Sequence, residues 1–511
     1  MSPTVGPVQR VELRLSSAPG RWVLAATVLG SAVTAIDSTV VGIALPAIGR
    51  NFSLPVSSLQ WVVTAYLVSL AGLLLVGGAL GDRYGRRRVF IIGVVWFATS
   101  SLVCAVAPDI GVLIGGRALQ GVGGALLTPG SLAILQASFA KDDRARAIGA
   151  WSGLGGVATA IGPFAGGFLI SAVSWRLIFL INLPIAALVV LIAARHVPET
   201  RDPTAAGPVD VLGAALVTVA LVGLAGGLIE APTDGWSSPM VLAMLIAAAL
   251  AFVAFVVAED RERSPMLPLA IFRSQQFSAT NAVTFVVYAA LGGALFLLPV
   301  QLQQVSHYSP LEAGSALLPL TAVMLAFSAR SGALAVRLGP RLQMAVGPVV
   351  VGAGMVLMRM IGPSGNYLTE VLPAVLVLAL GLVITVAPLT ATALASAPVE
   401  HAGVASAVNN DVARAGGLIA VALLPALSGL SGHSYVHPQE FESGFRHAVV
   451  FAGVAAALGG LLAAALVRNP GAARGAPGRA RARPGGGVPV CCPLEATPLA
   501  HTPQEPVGSN L

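Results

Sequence analysis

Runs of about 20 apolar residues recur fourteen times along the sequence, and they constrain the fold more than any other feature. A helix of about 20 apolar residues crosses a hydrocarbon core of about 30 Å, because its backbone polar groups bond to one another. Charged residues make up only 10% of the chain, and the mean hydropathy is +0.84. The predicted spans are 21–44, 58–80, 89–107, 110–133, 146–170, 176–195, 209–230, 238–258, 277–301, 311–335, 342–361, 370–394, 403–428 and 446–467. The sequence therefore predicts an all-α integral membrane protein with fourteen helices, numbered 1 to 14 in chain order.

Positive charges predict the orientation, since Lys and Arg near helix ends are retained in the cytoplasm. They precede helix 1 and follow the even-numbered helices: Arg10, Arg14, Arg21, Arg83, Arg86, Arg87, Arg88, Lys141, Arg144, Arg146, Arg195, Arg201, Arg261, Arg263, Arg273, Arg337 and Arg341. The opposite connections hold little beyond Arg50, Arg176, Arg359 and Arg446. Both termini are therefore expected in the cytoplasm. The net charge of +7 follows from this topology and gives no reason to expect nucleic-acid binding.

A short charged stretch, "GGALGDRYGRRRVF" at 77–90, has a second copy. "GALAVRLGPR" at 332–341 aligns with "GALGDRYGRR" at 78–87, and both lie in predicted cytoplasmic turns. The offset spans eight helices, so a duplicated six-helix unit must be separated by two extra helices. We therefore predict a cytoplasmic segment (1–20), an N-terminal six-helix bundle (21–195), a linker with two extra helices (196–260), a C-terminal six-helix bundle (261–467) and a disordered cytoplasmic tail (468–511).

These motifs resemble the major facilitator superfamily, and the six-plus-two-plus-six layout resembles its fourteen-helix drug:proton antiporter branch. The loop pattern G-x-L-x-D-R-x-G-R-R resembles the family's signature between helices 2 and 3. Further matches are "AIDSTVVGIALPAI" (35–48), "WVVTAYLVSLAGLLLVGGAL" (61–80), "RALQGVGGALLTP" (117–129), "IGPFAGGFL" (161–169) and "WRLIFLINLPI" (175–185). The resemblance implies a major facilitator fold in which two bundles move around a central cavity.

Polar residues form stripes on three of the predicted helices. At 100° per residue, Thr34 and Asp37 share an arc of helix 1, and Arg117 and Gln120 share an arc of helix 4. A charge near the membrane centre costs at least about 2.5 kcal/mol to insert, so such residues are functional candidates. The candidates for proton coupling or a substrate cavity are Asp37, Arg117, Thr34, Gln120, Asn410, Asp411 and Arg414. Alternatively, Asp37 is a neutralised packing residue, Arg117 organises the bundle, and Asp411 and Arg414 neutralise each other on helix 13.

The charged loop is a predicted gating element. Its candidate residues are Gly78, Asp82, Arg83, Gly85, Arg86 and Arg87. Retention of positive charge explains the arginines but not Asp82 or the glycines. Asp82 is expected near the positive N-terminal end of helix 13, and the resemblance implies a latch that holds the cytoplasmic side shut. Val336 stands in place of the acid in the second copy, so the latch would be one-sided.

Helix 5 carries small residues on one face: Ser152, Gly155, Gly156, Thr159, Pro163 and Gly166. The candidate antiporter motif consists of Gly162, Pro163, Gly166 and Gly167. Small residues let a neighbouring helix approach closely, and proline removes a backbone donor. Ordinary close packing is one interpretation. The resemblance implies a second, an antiporter motif that seals the two bundles against proton leak.

The predicted function is proton-coupled export of hydrophobic or amphipathic drugs or antibiotics by alternating access. We expect no enzyme activity, because the sequence lacks a nucleophile motif and a His, Cys or acidic cluster with metal-ligand spacing. No metal or cofactor is expected, with the proton gradient as energy source. The expected partners are a small-molecule substrate, protons and membrane lipid, around a monomer in a bacterial plasma membrane. A proton-coupled uptake symporter and a non-transporting scaffold or receptor are the alternatives.

Overall fold

The computed structural model describes residues 13–201, 209–262, 265–396, 402–432, 434 and 437–469. It contains fourteen helices long and apolar enough to cross a membrane. In chain order they are Ala18–Phe52, Val56–Tyr84, Arg86–Ala105, Ile110–Ser138, Asp142–Ala172, Leu177–His196, Val211–Asp234, Pro239–Arg261, Gln275–Gln304, Pro310–Ala335, Pro340–Met360, Tyr367–Ala395, Val404–Leu427 and Pro438–Leu466. The prediction of an all-α protein with fourteen membrane helices is confirmed. The extended pairing in the described residues is one isolated bridge, between Leu13 and Phe139. The predicted tail lies outside these residues except for Arg468 and Asn469, as do most of the N-terminal segment and the connection at 202–208.

The helix ends follow local chemistry. Ser17 caps helix 1 by accepting a hydrogen bond from the Gly20 N–H, and Asp109 caps helix 4 by accepting from the Val112 N–H. Helix 14 begins at Pro438, eight residues before the predicted span, because its first turns are polar. Hydropathy detects only the part of a helix that lies in lipid. The helix itself extends further into water, because its backbone hydrogen bonds continue through the polar turns.

The same pattern of packing occurs twice in the chain. In the first six helices, helix 4 packs on helices 2 and 3, helix 1 packs on helices 5 and 6, and helix 3 packs on helix 6. Adding eight to each number gives pairs that also pack: 12 on 10 and 11, 9 on 13 and 14, and 11 on 14. This is the arrangement that a duplicated six-helix unit produces.

Helices 7 and 8 form a hairpin outside this duplicated pattern. They pack on each other, and helix 7 also contacts helices 2 and 13. Its contact surface is an apolar cluster of Val68, Ala225, Leu228, Ile229, Leu418 and Ala422. The Trp61 indole N–H of helix 2 donates a hydrogen bond of 2.9 Å to Glu230 of helix 7. Helix 7 therefore bridges the two six-helix sets.

The two sets meet mainly at one end of the molecule, which we call the arginine-poor end because it lies opposite the basic connections. There the Gln60 amide of helix 2 donates to the Val421 carbonyl of helix 13 at 2.7 Å. The Gln303 amide of helix 9 donates to the Ile43 carbonyl of helix 1 at 2.9 Å. Towards the other end, which we call the basic end, a methyl group added at Gly149 or Gly155 of helix 5 would meet no described atom within 4 Å. The contacts between the two sets are thus concentrated at the arginine-poor end, and helix 5 has open space beside these two glycines towards the basic end.

Candidate functional site

Asp37 of helix 1 and Arg117 of helix 4 form a buried ion pair. The Arg117 Nη1 lies 2.5 Å from the Asp37 Oδ2, and each side chain is only 1% exposed. Burying two charges carries a desolvation penalty of several kcal/mol each, so either charge without its partner would be strongly unfavourable. The two residues that the sequence singles out on separate helices are therefore electrostatically dependent on each other.

Neutral polar side chains complete the coordination of Asp37. Its Oδ1 accepts hydrogen bonds from the amides of Gln120, at 3.0 Å, and Asn182, at 3.2 Å. Both amides also donate to the Ser101 hydroxyl, at 2.7 and 3.2 Å. The carboxylate thus has donors on both oxygens, supplied by helices 4 and 6, and helix 3 holds those donors in place.

Arg117 is held by further contacts of its own. Its Nε donates to the Val62 carbonyl at 3.1 Å, and its Nη1 donates to the Gln120 amide oxygen at 2.7 Å. The guanidinium carbon lies 4.4 Å from the centre of the Tyr66 ring, which favours the cation. The site is therefore assembled from helices 1, 2, 3, 4 and 6, and movement of any of them would disturb the pair.

The sequence did not point to Ser101, Asn182 or Tyr66. Asn182 begins the second part of helix 6, because the helix is interrupted at Ile181 and continues as Asn182–His196. Pro184 lies in the first turn of this second part, where a proline is tolerated. An asparagine two residues before a proline inside an apolar span is the one sequence signal for this position.

Thr34 takes no part in this polar cluster. Its hydroxyl donates to the Ser31 carbonyl of the same helix at 2.9 Å, and its methyl side faces Gly124 of helix 4. Such a bond satisfies the hydroxyl without a partner from another helix. Ser38, one residue after Asp37, is exposed and also bonds to its own helix.

Of the helix 13 candidates, Arg414 lies close enough to Tyr66 to interact with it electrostatically, whereas Asn410 and Asp411 form no hydrogen bond to the Asp37 cluster among the described residues. Asn410 is exposed and its amide donates to the Ser406 carbonyl of its own helix at 2.9 Å. The Asp411 Oδ1 is buried without a hydrogen-bond partner in the described part of the chain, and those residues contain no ion pair between Asp411 and Arg414. The neighbouring Asn409 instead links helix 13 to helix 9, by donating to Asn281 at 3.1 Å and Thr284 at 2.9 Å.

The charged loop is held by the segment that follows helix 6. The Glu199 carboxylate accepts hydrogen bonds from the backbone N–H groups of Arg87 and Arg88, at 3.1 and 3.2 Å. The Arg86 N–H donates to the Thr200 carbonyl at 2.9 Å. An acid at a helix N-terminus satisfies free donors and complements the helix dipole. Glu199 is therefore the N-terminal anion of helix 3, a role that sequence spacing did not reveal.

Within the loop, two of the four predicted gating charges, Asp82 and Arg86, contact each other. The Asp82 Oδ1 accepts from Arg86 Nε at 2.8 Å and lies 2.7 Å from Arg86 Nη2. Arg83 lies over the Tyr84 ring, and Arg87 Nη1 donates to the Val197 carbonyl at 3.1 Å. Gly85 has φ +115°, a conformation that favours glycine, and Gly78 lies against Pro129 of helix 4. In this conformation Asp82 pairs inside its own loop.

The second copy of the loop is held in the same manner. Gly339 has φ +79°, and the Arg341 N–H donates to the Asn469 side-chain oxygen at 3.0 Å. Asn469 follows helix 14 as Glu199 follows helix 6. Each six-helix set thus ends in a residue that caps its own third helix.

The predicted antiporter motif lies between helices 1, 5 and 10. Side-chain atoms added at Gly162 and Gly166 would overlap Thr39 and Val40 of helix 1. Gly167 lies directly against the backbone of Pro310 and Leu311, and Gly314 of helix 10 lies against the Pro163 carbonyl. Small residues on both helices therefore permit the close contact that closes the arginine-poor end.

Two duplicated helix sets, a buried acid–arginine pair and contacts between the sets that are concentrated at one end define a secondary transporter. Residues 27–421 match the family model of the Major Facilitator Superfamily. The chain belongs to this superfamily, and it is a multi-pass transporter of the bacterial cell membrane, not an enzyme.

Relatives and solved structures agree with this assignment. A tetracenomycin C resistance and export protein of Streptomyces glaucescens is 35% identical over 79% of this chain and 75% of its own length. A methylenomycin A resistance protein of Bacillus subtilis (strain 168) is 36% identical over 82% of this chain and 90% of its own. A crystal structure of a POT family transporter superposes with a TM-score of 0.65, at 15% identity over 87% of this chain and 97% of the other. That last likeness concerns the fold alone.

Proposed function

We propose that the protein exports a hydrophobic or amphipathic antibiotic in exchange for protons. The relatives support export, since one is a resistance and export protein and others are resistance proteins for methylenomycin A, puromycin or lincomycin. The substrate is a small molecule, and the proton gradient is the energy source in place of a bound cofactor. The complete route lies within one chain, so a monomer suffices.

The buried pair of Asp37 and Arg117 carries the proposal. The Asp37 carboxylate lies 2.5 Å from the Arg117 guanidinium, and it accepts a hydrogen bond from the Gln120 amide. Movement of helix 4 away from helix 1 would leave the carboxylate desolvated without a cation, and its neutral form would then be favoured. The two conformations would thus differ in proton affinity, which is the condition for coupling transport to protons.

The arrangement of the bundles supplies the second conformation. With the basic loops in the cytoplasm, the structure corresponds to a state open towards the cytoplasm and closed on the outside. In the proposed cycle, the contacts between helices 2 and 13 and between helices 5 and 10 separate, and the loop carrying Asp82 closes the cytoplasmic side. Asp37 takes up a proton in the outward-open state and releases it in the inward-open state, where the drug binds.

The test is drug transport in inverted membrane vesicles under an imposed pH gradient. A susceptibility panel of tetracenomycin C, methylenomycin A, puromycin and lincomycin in a pump-deficient host selects the probe. We expect Asp37→Asn to abolish gradient-driven accumulation of the probe, while a neutral probe still binds. Asp234→Asn is the matched control, because Asp234 is exposed at the end of helix 7.

The direction of transport and the release of protons on drug addition separate the alternatives. Accumulation inside inverted vesicles supports export, whereas accumulation inside right-side-out vesicles would indicate an uptake symporter. Absence of movement for every probe in both orientations would favour a scaffold or receptor. If Asp37→Asn transports at the normal rate and still releases protons on drug addition, the coupling site lies elsewhere, with Asp411 as the next residue to replace.

A further inference from the structure

Four arginines lie on the arginine-poor side, where positive charge is depleted, and the structure explains two of them locally. Arg176 donates to the Ala107 carbonyl at 3.0 Å and lies 4.4 Å from the centre of the Trp175 ring. Arg50 lies in the last turn of helix 1, where the helix dipole favours a cation. The remaining two, Arg359 and Arg446, come together at one cavity.

This cavity lies between the end of helix 11 and the start of helix 14. Its volume is about 540 Å³. Its lining combines two apolar side chains, Val450 and Phe451, with polar ones: Arg359, Gln439, Glu442, Ser443, Arg446 and His447. A second cavity of about 820 Å³ shares Gln439, His447 and Phe451 with it. The two cavities form a continuous groove around the first turns of helix 14.

The sequence of helix 14 places this groove at the membrane surface. After His447, residues 448–466 are uncharged and apolar or small, and as a helix these nineteen residues span about 29 Å. That length matches a hydrocarbon core of about 30 Å. Arg446 and His447 therefore lie at the level of the lipid headgroups, and Val450 and Phe451 lie at the outermost level of the acyl chains.

The lining of the groove includes two arginines and two glutamates, Glu440 and Glu442, and the attraction for an anion comes from the arginine that no described acid pairs with, Arg359. The Arg446 Nη2 lies 2.6 Å from the Glu442 Oε1 in an ion pair, and the Arg446 side chain remains half exposed. Arg359 is exposed, and it forms no ion pair with the residues that the structure describes. An arginine guanidinium recognises a phosphate with two parallel hydrogen bonds. The exposed ring of Phe451, at 46%, gives an acyl chain an apolar surface directly below such a phosphate.

We infer that this groove binds the phosphodiester headgroup of an anionic membrane phospholipid, with Arg359 and Arg446 on the phosphate and an acyl chain against Val450 and Phe451. The site joins helix 11 to helix 14, so the bound lipid links two helices of the second six-helix set. The same phosphate chemistry would also accept a soluble phosphate from the aqueous side, and the acyl-chain contacts distinguish the two sources.

The test is lipid binding to the purified full-length protein by native mass spectrometry, with phosphatidylglycerol as the probe. Diacylglycerol with the same acyl chains lacks the phosphate, and inorganic phosphate lacks the acyl chains. We expect saturable binding of phosphatidylglycerol that weakens about fivefold in Arg359→Gln, the typical contribution of one basic residue at a membrane surface. Arg446→Gln is made in a Glu442→Gln background, so that no acid is left unpaired, and is expected to weaken binding by a similar factor. Arg50→Gln is the control for a change of net charge on the same side.

Each result of the binding experiments supports or overturns the proposed lipid site. Weaker phosphatidylglycerol binding in both arginine variants, with the Arg50→Gln protein unchanged, supports the site. Equal binding by the wild type and both variants would overturn it. If inorganic phosphate binds as tightly as the lipid and competes with it fully, the site takes a soluble phosphate and the lipid assignment is wrong. Diacylglycerol binding as tightly as phosphatidylglycerol would exclude a role for the phosphate.

Discussion

Glu199 lies across the start of helix 3, where its Oε1 accepts the Arg87 N–H at 3.1 Å. The loop was singled out by its positive charge, yet the structure fixes it through an acid from 112 residues further along the chain. The signature loop is therefore attached to the segment after helix 6 by direct hydrogen bonds. Asn469 occupies the corresponding position in the second set, so the same type of connection occurs in both sets.

Removal of the Glu199 carboxylate is expected to weaken the connection between the signature loop and the segment after helix 6. Glu199→Ala leaves two helix N-terminal donors without an acceptor, which costs about 1 kcal/mol for a typical cap. We expect a lower midpoint of thermal unfolding for the purified protein and reduced transport. Glu199→Gln retains an acceptor oxygen and should recover part of the loss. An unfolding midpoint in Glu199→Ala equal to that of the wild type would show that the cap contributes nothing.

The positive φ of Gly85 predicts a contrast between two glycines of one loop. An alanine at φ +115° is strained by roughly 1–3 kcal/mol, and its Cβ would also overlap the Glu199 carboxylate. At Gly78 the nearest atom, the Pro129 Cβ, is at an ordinary 3.7 Å. Gly85→Ala should therefore reduce the yield of folded protein while Gly78→Ala does not, as measured by size-exclusion chromatography of detergent-solubilised protein. Equal yields from the two variants would contradict the proposed constraint at Gly85.

Hydropathy predicted the number of helices because lipid imposes the same minimum length on every span. The polar stripes also identified Asp37, Arg117 and Gln120, since a charge on a membrane helix must face protein or a cavity. The structure joins these three in one cluster. Sequence could not show that they meet, because periodicity places a residue on a face and says nothing of which helix it faces.

Neutral residues of the site gave a weaker signal than charged ones. The Ser101 hydroxyl is satisfied within its own helix by the Phe97 carbonyl, and Asn182 carries no charge, so neither stands out in an apolar span until the tertiary structure places it beside Asp37. Glu199 and Asn469 lie in connections, where a polar residue is expected for many reasons. The interruption of helix 6 lies next to Pro184, which has no N–H to donate to the Leu180 carbonyl, and hydropathy does not register a missing backbone bond.

Asp82 is predicted to change partners during the transport cycle. Here it pairs with Arg86, whereas a latch requires it to meet the other bundle when the cytoplasmic side closes. We expect Asp82→Asn to slow transport and to leave expression largely intact. Labelling of a cysteine introduced at Ser38, which is exposed, should increase from the cytoplasmic side in a cysteine-free background. Arg86→Gln separates the roles, because it removes the present partner and leaves the acid free to act as the latch. Full transport with unchanged labelling in Asp82→Asn would show that the loop only sets the orientation of the helices and does not act as a gate.

The contact between helices 5 and 10 should tolerate no added side chain at the closed end. At Gly167 an alanine Cβ would overlap the backbone of Pro310 and Leu311, and overpacking of this kind costs about 1–3 kcal/mol. Gly167→Ala is expected to lower drug transport about tenfold or more by opposing closure, and to increase outside labelling of the Ser38 cysteine. Gly149→Ala, on the same helix where nothing described lies within 4 Å, is the control. Equal transport by both variants would show that this contact does not limit closure.

The hairpin of helices 7 and 8 gives a test of how the two six-helix sets are connected. Deletion of 209–258 removes two crossings, so a reporter fused after Arg341 should keep its orientation, because the number of spans before it changes by an even number. Deletion of 238–258 alone removes one crossing and should invert the same reporter, which makes it the matched control. The double deletion also removes the Ala225, Leu228 and Ile229 side of the apolar cluster, so the protein should unfold at a lower temperature while the topology is retained. A reporter that inverts in the double deletion would mean that the second set depends on helices 7 and 8 for its orientation, and the assignment of these helices as an insertion between two repeats would then be wrong.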